Sequence, residues 1–303
     1  MLLHDLLGLR EEENVFLAEE CLEDLIDLPV TGELMTSGLE PDRAIVLGEE
    51  KPLAVALHLS SPADFWLILT DIYSQRKVLE GFLAWNQESE AFQVLRSVSL
   101  TGDDLFRGIA EYYSLSLMEG LLCDECRVPS NPLHVEDRIQ RLQELIPQVL
   151  PRGFKVLDVG CGSGMGTRAL TNLGYSTWAM DVDRCEVCQG LKNRSLIPDQ
   201  TFVMDARLLD AFLPACSFDA VVGFMMGLID DVNRDLWRRI VLKASSLART
   251  MVFYTVYTRK EAEFIAETLC KEGWTGEIID NSSRIAIYDQ WAYLGWKPGL
   301  RKT

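Results

Sequence analysis

Between Lys155 and Leu170 the chain reads KVLDVGCGSGMGTRAL, with glycine at every second position from Gly160 to Gly166 and Asp158 two residues ahead of the first. Glycine accepts the left-handed backbone of a tight turn, and its missing β-carbon lets a ligand approach the main chain. The free N–H groups at the start of a following helix can bind a carboxylate. An apolar run before the glycines and a helical pattern after them place the turn between a strand and a helix, where nucleotide-like ligands are held. A dinucleotide site needs G-x-G-x-x-G, and counting from Gly160 the third glycine of that pattern falls on Met165. The spacing counts against an NAD-dependent oxidoreductase.

With these residues in view, the stretch from residue 130 to 303 resembles a class I S-adenosylmethionine-dependent methyltransferase, whose first motif is an acid followed by G-x-G-x-G. The segment LDVGCGSG, Leu157 to Gly164, matches that motif. The resemblance implies S-adenosylmethionine as the cofactor, with Gly160, Cys161, Gly162 and Gly164 against its methionine and sugar parts and Asp158 at its ammonium end. Asp181 closes the run STWAMD, where the resemblance implies an acid that accepts both ribose hydroxyls, as in dinucleotide folds. Val182 is then expected to pack on the adenine, and Asp205, or the amide of Ala206, to read the adenine amino group. Gly223, Phe224 and Met225, in SFDAVVGFMMGLIDD, are expected at the reactive end, and AYLGWKP resembles the last strand of the fold. A single aspartate at a strand end reads equally well as a cap. It is the four matches in order that carry the resemblance.

A sulfonium makes its methyl group electrophilic without further activation, so a transferase has mainly to align a nucleophile and exclude water. A general base is needed only when the accepting atom carries a proton, and no side chain announces itself as catalytic. The fourth-strand exit reads GFMM, unlike the Asn/Asp-Pro-Pro-Tyr/Phe motif of enzymes that methylate exocyclic base amines. His134 reads as a base or as a helix-entry residue. Tyr112 and Tyr113 read as a cover for the cofactor or as packing. Cys123 with Cys126, and Cys185 with Cys188, form two C-x-x-C pairs about 60 residues apart. That is far outside common zinc-finger spacing, so packed thiols are the plainer reading and no metal is assigned.

The elements that must position these residues follow from periodicity. Strand and helix alternate: strands at 155–159, 176–180, 201–204, 218–223 and 251–257, with helices at 164–173, 184–192, 232–246 and 260–271. Such alternation builds an α/β fold, a mainly parallel doubly wound sheet with helices on both faces. Strands at 275–280 and 284–294, joined by NSS, complete seven strands as an antiparallel edge hairpin in a Rossmann-like methyltransferase fold. Ahead of it, Pro129, Ser130, Asn131 and Pro132 form the best linker signal. The expected organisation is an acidic α+β N-terminal domain over 1–130, which selects the acceptor or acts as a lid, and a cofactor domain over 131–303. In the first, a helix is expected over 11–28, a hairpin from AIVLG and LAVALHL, either a helix or a strand and helix after Pro62, and a helix over 103–122 behind Thr101. A short amphipathic helix in HVEDRIQRLQELIPQVL leads into the glycine-turn strand.

The net charge is −17, and Met1 to Glu50 alone hold 14 acidic residues against 2 arginines. With no basic cluster, nucleic acid is disfavoured as a partner and a small-molecule or protein acceptor is preferred. The acidic front reads as a solubility device or as a lure for a basic partner. No apolar run approaches a membrane span and the first residues lack a signal-peptide pattern. Eight cysteines then fit reduced thiols in a cytoplasm. The alternative kept open is a cofactor-binding protein without turnover, since fold does not fix activity. Oligomeric state is not legible.

Overall fold

The computed structural model describes residues 2–17, 41–48, 51–60, 64–70, 78–90, 92–122, 135–284 and 286–297. The chain divides into two compact units, Met1–Tyr113 and Ser114–Thr303. The expected boundary near residue 130 lies outside the described residues.

The first unit contains α1 (Leu2–Leu7), β1 (Val15–Leu17), β2 (Arg43–Leu47), β3 (Ala54–Leu59), β4 (Phe65–Thr70), α2 (Val78–Ser89), β5 (Gln93–Val98) and the start of α3 (Gly102–Met118). Its sheet runs β1-β4-β3-β2-β5. β2 and β3 form the expected antiparallel pair, and β3 is buried along its whole length, as a continuous apolar run requires. The run after Pro62 resolves as a strand followed by a helix, with Leu79 and Phe82 of α2 packed against Val55, Leu57 and Leu69 of the sheet. Thr101 caps α3 as expected: its hydroxyl accepts from the Asp104 amide at 3.2 Å, and the Asp104 carboxylate accepts from the Thr101 amide at 3.1 Å.

The helix expected over 11–28 is corrected. Val15 to Leu17 form a strand parallel to β4, with Val15 and Leu17 buried and Phe16 exposed. The free edge of β4 supplies the partner groups, the Trp66 amide donating to the Asn14 carbonyl at 2.8 Å. This pairing overrides the helical spacing of the side chains. The remainder, 18–28, lies outside the described residues.

The second unit holds α4 (Val135–Val149), β6 (Lys155–Val159), α5 (Met165–Asn172), β7 (Ser176–Asp181), α6 (Arg184–Lys192), β8 (Thr201–Val203), α7 (Leu209–Phe212), β9 (Phe218–Gly223), α8 (Arg234–Ser246), β10 (Ala248–Val256), α9 (Arg259–Cys270), β11 (Thr275–Asp280) and β12 (Trp291–Trp296). The sheet order is β11-β12-β10-β9-β6-β7-β8. β6 to β10 pair in parallel, and β12 runs antiparallel to both β10 and β11. The order reverses between β6 and β9, which opens a crevice beyond their carboxyl ends. Ile139, Leu142, Ile146 and Val149 of α4, at helical spacing, pack with Val156, Val222 and Phe253 of the sheet.

The final strand starts later than expected. Residues 281–284 and 286–290 form no strand, and β12 begins at Trp291. Asp289 adopts a left-handed φ of 57° and turns its carboxylate inward, where Arg138 and Thr255 bind it. Those buried partners tie the segment to α4 and β10 ahead of β12. Among the described residues no helix is long and apolar enough to cross a membrane.

Candidate cofactor site

The glycine turn follows β6 and opens into the crevice. Gly160 and Gly162 take φ values of +72° and +53°, which side chains with a β-carbon rarely adopt. A β-carbon on Gly160 would meet nothing within 4 Å, and one on Gly162 only Oε2 of Glu186 at 3.8 Å. The turn therefore presents bare main chain to open space. The other two glycines of the row serve packing. A β-carbon at Gly164 would stand 2.6 Å from Leu196, and one at Gly166 2.1 Å from the Phe224 ring.

The turn is fixed from the side by β7. The amides of Gly160 and Cys161 donate to the Met180 carbonyl at 2.9 and 3.0 Å. The Gly162 amide donates to Asp181 Oδ2 at 2.8 Å, and Asp183 donates to Oδ1 at 2.9 Å. Asp181 is half-buried and Val182 beside it is 66% exposed, a carboxylate edge next to an apolar surface. Asp205, after β8, accepts from the Arg207 amide and pairs with its guanidinium, which holds its carboxyl below the usual range. Ala206 opens the single helical turn that follows.

Asp158, in β6 just ahead of the turn, has 1% of its surface exposed. Its Oδ2 accepts from the Thr167 hydroxyl at 2.7 Å. Oδ1 is buried and has no partner among the described residues. Burial pushes this carboxyl up to about 7, against the Thr167 hydrogen bond and the Arg138 charge, with Asp181 and Asp289 adding to the rise. Burial also pushes the Cys161 thiol up, with Asp158 and Asp181 adding to it, so this cysteine remains a protonated packing residue.

At the exit of β9 the three expected residues part company. A β-carbon at Gly223 would strike Met226, and Phe224 is buried edge-on to Phe253 with centroids 6.2 Å apart. Met225 takes a φ of +65°, a strained conformation for such a side chain. Its amide donates to Thr255 Oγ1 at 2.8 Å, and its sulfur accepts from the Asp289 amide at 2.8 Å. Sequence reasoning missed the group behind it. Arg138 of α4 donates through Nε and Nη2 to the two oxygens of Asp289 at 2.8 and 3.2 Å, and Thr255 donates to Oδ1 at 2.6 Å. An arginine in an amphipathic helix reads as a solvent-facing residue, so no local signal marks it.

His134, Cys123 and Cys126 lie outside the described residues. Cys185 is half-buried, and Cys188 is buried with its thiol 3.6 Å from the Leu117 carbonyl. Among the described residues no three His, Cys, Asp or Glu side chains are arranged so that they could hold a metal ion. In the first unit, Tyr112 and Tyr113 pack edge to face with centroids 5.3 Å apart. That unit also holds a buried histidine, His58, with Nδ1 2.6 Å from Asp42 and Nε2 2.6 Å from Asp64.

Residues 157–236, from the middle of β6 into α8, match the family model described as "Methyltransferase domain". Within the second unit these residues form a methyltransferase domain, carried on a Rossmann-like α/β sheet of seven strands. No curated protein matches the chain. Among solved structures, the chain is similar to magnesium protoporphyrin IX methyltransferase from Synechocystis PCC 6803 with bound S-adenosylmethionine, at 15% identity over 66% of this chain and 98% of that one, TM-score 0.42. Another match is a methyltransferase assigned to the same cofactor from Methanococcus maripaludis, at 12% identity over 65% and 95%, TM-score 0.42. A third is a ribosomal protein L11 methylase from Lactobacillus delbrueckii subsp. bulgaricus, at 21% identity over 55% and 79%, TM-score 0.39. The residues present suit S-adenosylmethionine: bare main chain at Gly160 and Gly162, and a buried carboxylate oxygen on Asp158 without a partner among the described residues.

Proposed function

We propose that the chain transfers a methyl group from S-adenosylmethionine to a small molecule or a protein side chain by in-line displacement. The observation that carries this reading is the open main-chain cradle at Gly160 and Gly162, pinned to Asp181 at the point where the strand order reverses. When bound, the cofactor supplies a methyl group made electrophilic by its sulfonium.

The chain's own residues bind and orient. The bare main chain of the turn and Asp158 receive the amino-acid end, Cys161 and Gly164 shape the turn behind it, Asp181 takes the ribose, Val182 covers the adenine, and Asp205 or the Ala206 amide reads its edge. Gly223 and Phe224 fix the course of the β9 exit, and Met225 presents its main chain there. The N-terminal unit selects the acceptor. A net charge of −17 without a basic cluster favours a neutral, cationic or protein acceptor over nucleic acid. A reducing, cytoplasmic setting agrees with the free thiols of Cys161, Cys185, Cys188, Cys216 and Cys270.

Titration calorimetry with S-adenosylhomocysteine and with NADH tests the reading. Tight binding of the first and none of the second is expected. A preference for NADH would overturn it.

A further inference from the structure

We propose that occupancy of this site is proton-linked: the amino-acid end of the cofactor, on entering the glycine turn, drives a proton off Asp158 into solvent. The inference rests on the methyltransferase reading above and goes beyond it by giving the empty site a protonation state of its own.

The geometry sets up an incomplete charge balance. Asp158 is buried at the end of β6, with Oδ2 held by the Thr167 hydroxyl of α5 and Oδ1 without a partner among the described residues. Four elements bring charged or titratable groups towards it. The guanidinium of Arg138 comes from α4, the carboxylate of Asp181 from the end of β7, that of Asp289 from the loop before β12, and the thiol of Cys161 from its own turn. Arg138 is the one cation of this set, and it spends Nε and Nη2 on Asp289. A buried carboxylate facing two others, with the shared cation already committed, retains its proton while the site is empty. Burial, with Asp181 and Asp289 adding to it, pushes the carboxyl in the same direction, up to about 7.

An ammonium group entering beside Oδ1 supplies the missing cation and favours the ionised carboxylate. The O–H bond of Asp158 breaks, its electron pair stays on the carboxylate, the proton passes to the buffer, and the ammonium keeps its three protons. The new ion pair forms without a net change in buried charge.

S-adenosylhomocysteine is the suitable probe because it carries the same amino-acid end and cannot transfer a methyl group. The full chain is titrated calorimetrically from pH 5.5 to 8 in phosphate and in Tris, whose ionisation heats differ. The binding heat is expected to depend on the buffer, with roughly half a proton to one proton released per site between pH 6 and 7. The dissociation constant is expected to tighten by up to about tenfold per pH unit below 7 and to level off above it. Thr167→Val, close in shape, removes the hydroxyl that favours the charged carboxylate, and should carry the levelling-off to higher pH. Binding with buffer-independent heat and a flat pH profile overturns the proposal while leaving the methyltransferase reading intact. Proton release whose profile does not move in Thr167→Val assigns the proton to another group and also overturns it. Absence of binding at every pH overturns the reading beneath it.

Discussion

The amide of Gly162 donates to Oδ2 of Asp181 at 2.8 Å across 19 residues of sequence, while Asp183 occupies Oδ1 at 2.9 Å. One carboxylate thus ties the glycine turn after β6 to the end of β7. Hydrogen bonds to a charged acceptor contribute about 1.5–3 kcal/mol. Asp181→Ala is therefore expected to weaken S-adenosylhomocysteine binding by at least about tenfold. Asp181→Asn, which keeps an acceptor for one amide, should lose less. Calorimetry on the three proteins checks the order.

Two glycines of the same row should fail in different ways. Gly160→Ala places a methyl group in the open space before the turn and strains a left-handed residue by roughly 1–2 kcal/mol. Its main expected effect is lost cofactor affinity. Gly166→Ala drives a methyl group into Phe224, for about 1–3 kcal/mol of overpacking. Its main expected effect is a lower urea midpoint. Binding and denaturation measured on both variants separate the two roles.

Arg138→Met leaves Asp289 as a buried carboxylate without its ion-pair partner, and a loss of roughly 3–5 kcal/mol is expected. Adding Asp289→Asn removes the stranded charge and tolerates the left-handed backbone. The double variant should recover part of that stability. A double-mutant cycle by urea denaturation is expected to give a coupling of about 1–3 kcal/mol.

Folded Asp158 keeps its proton up to about 7, whereas its reference value is 3.8. Between those limits the folded chain binds more protons than the unfolded one, so this group lowers stability as pH rises and is neutral below the window. The total is on the order of 4 kcal/mol, complete above about pH 7. Asp158→Asn should remove the slope. The stability difference between the variant and the parent protein, followed from pH 4 to pH 8, checks the sign.

Continuous apolar runs and clear caps made most of the methyltransferase unit legible. The strands Phe218–Gly223 and Thr275–Asp280 and the helix Arg184–Lys192 appear with the bounds read from the sequence. In the last case Asp183 caps the helix by accepting from Cys185 and Glu186. At Val15–Leu17 the apolar spacing suited a helix, but a neighbouring strand edge supplied hydrogen-bond partners that no local pattern encodes. The start of the last strand was misplaced for a similar reason, because the partners of Asp289 lie 34 and 151 residues away.

The sequence by itself determined the strand, glycine turn and helix and the acids at successive strand ends, on which the resemblance that implied the cofactor rests. These are local matters of backbone freedom and side-chain period, written within a few residues of one another. Only the tertiary structure decided which glycines face open space and which make room for Leu196 and Phe224, and that Arg138, Thr255 and Asp289 form one buried group behind Met225. It also decided that Asp158 sits buried with one oxygen unpartnered. Burial and charge balance are sums over groups brought together by folding, and no single segment of the chain contains them.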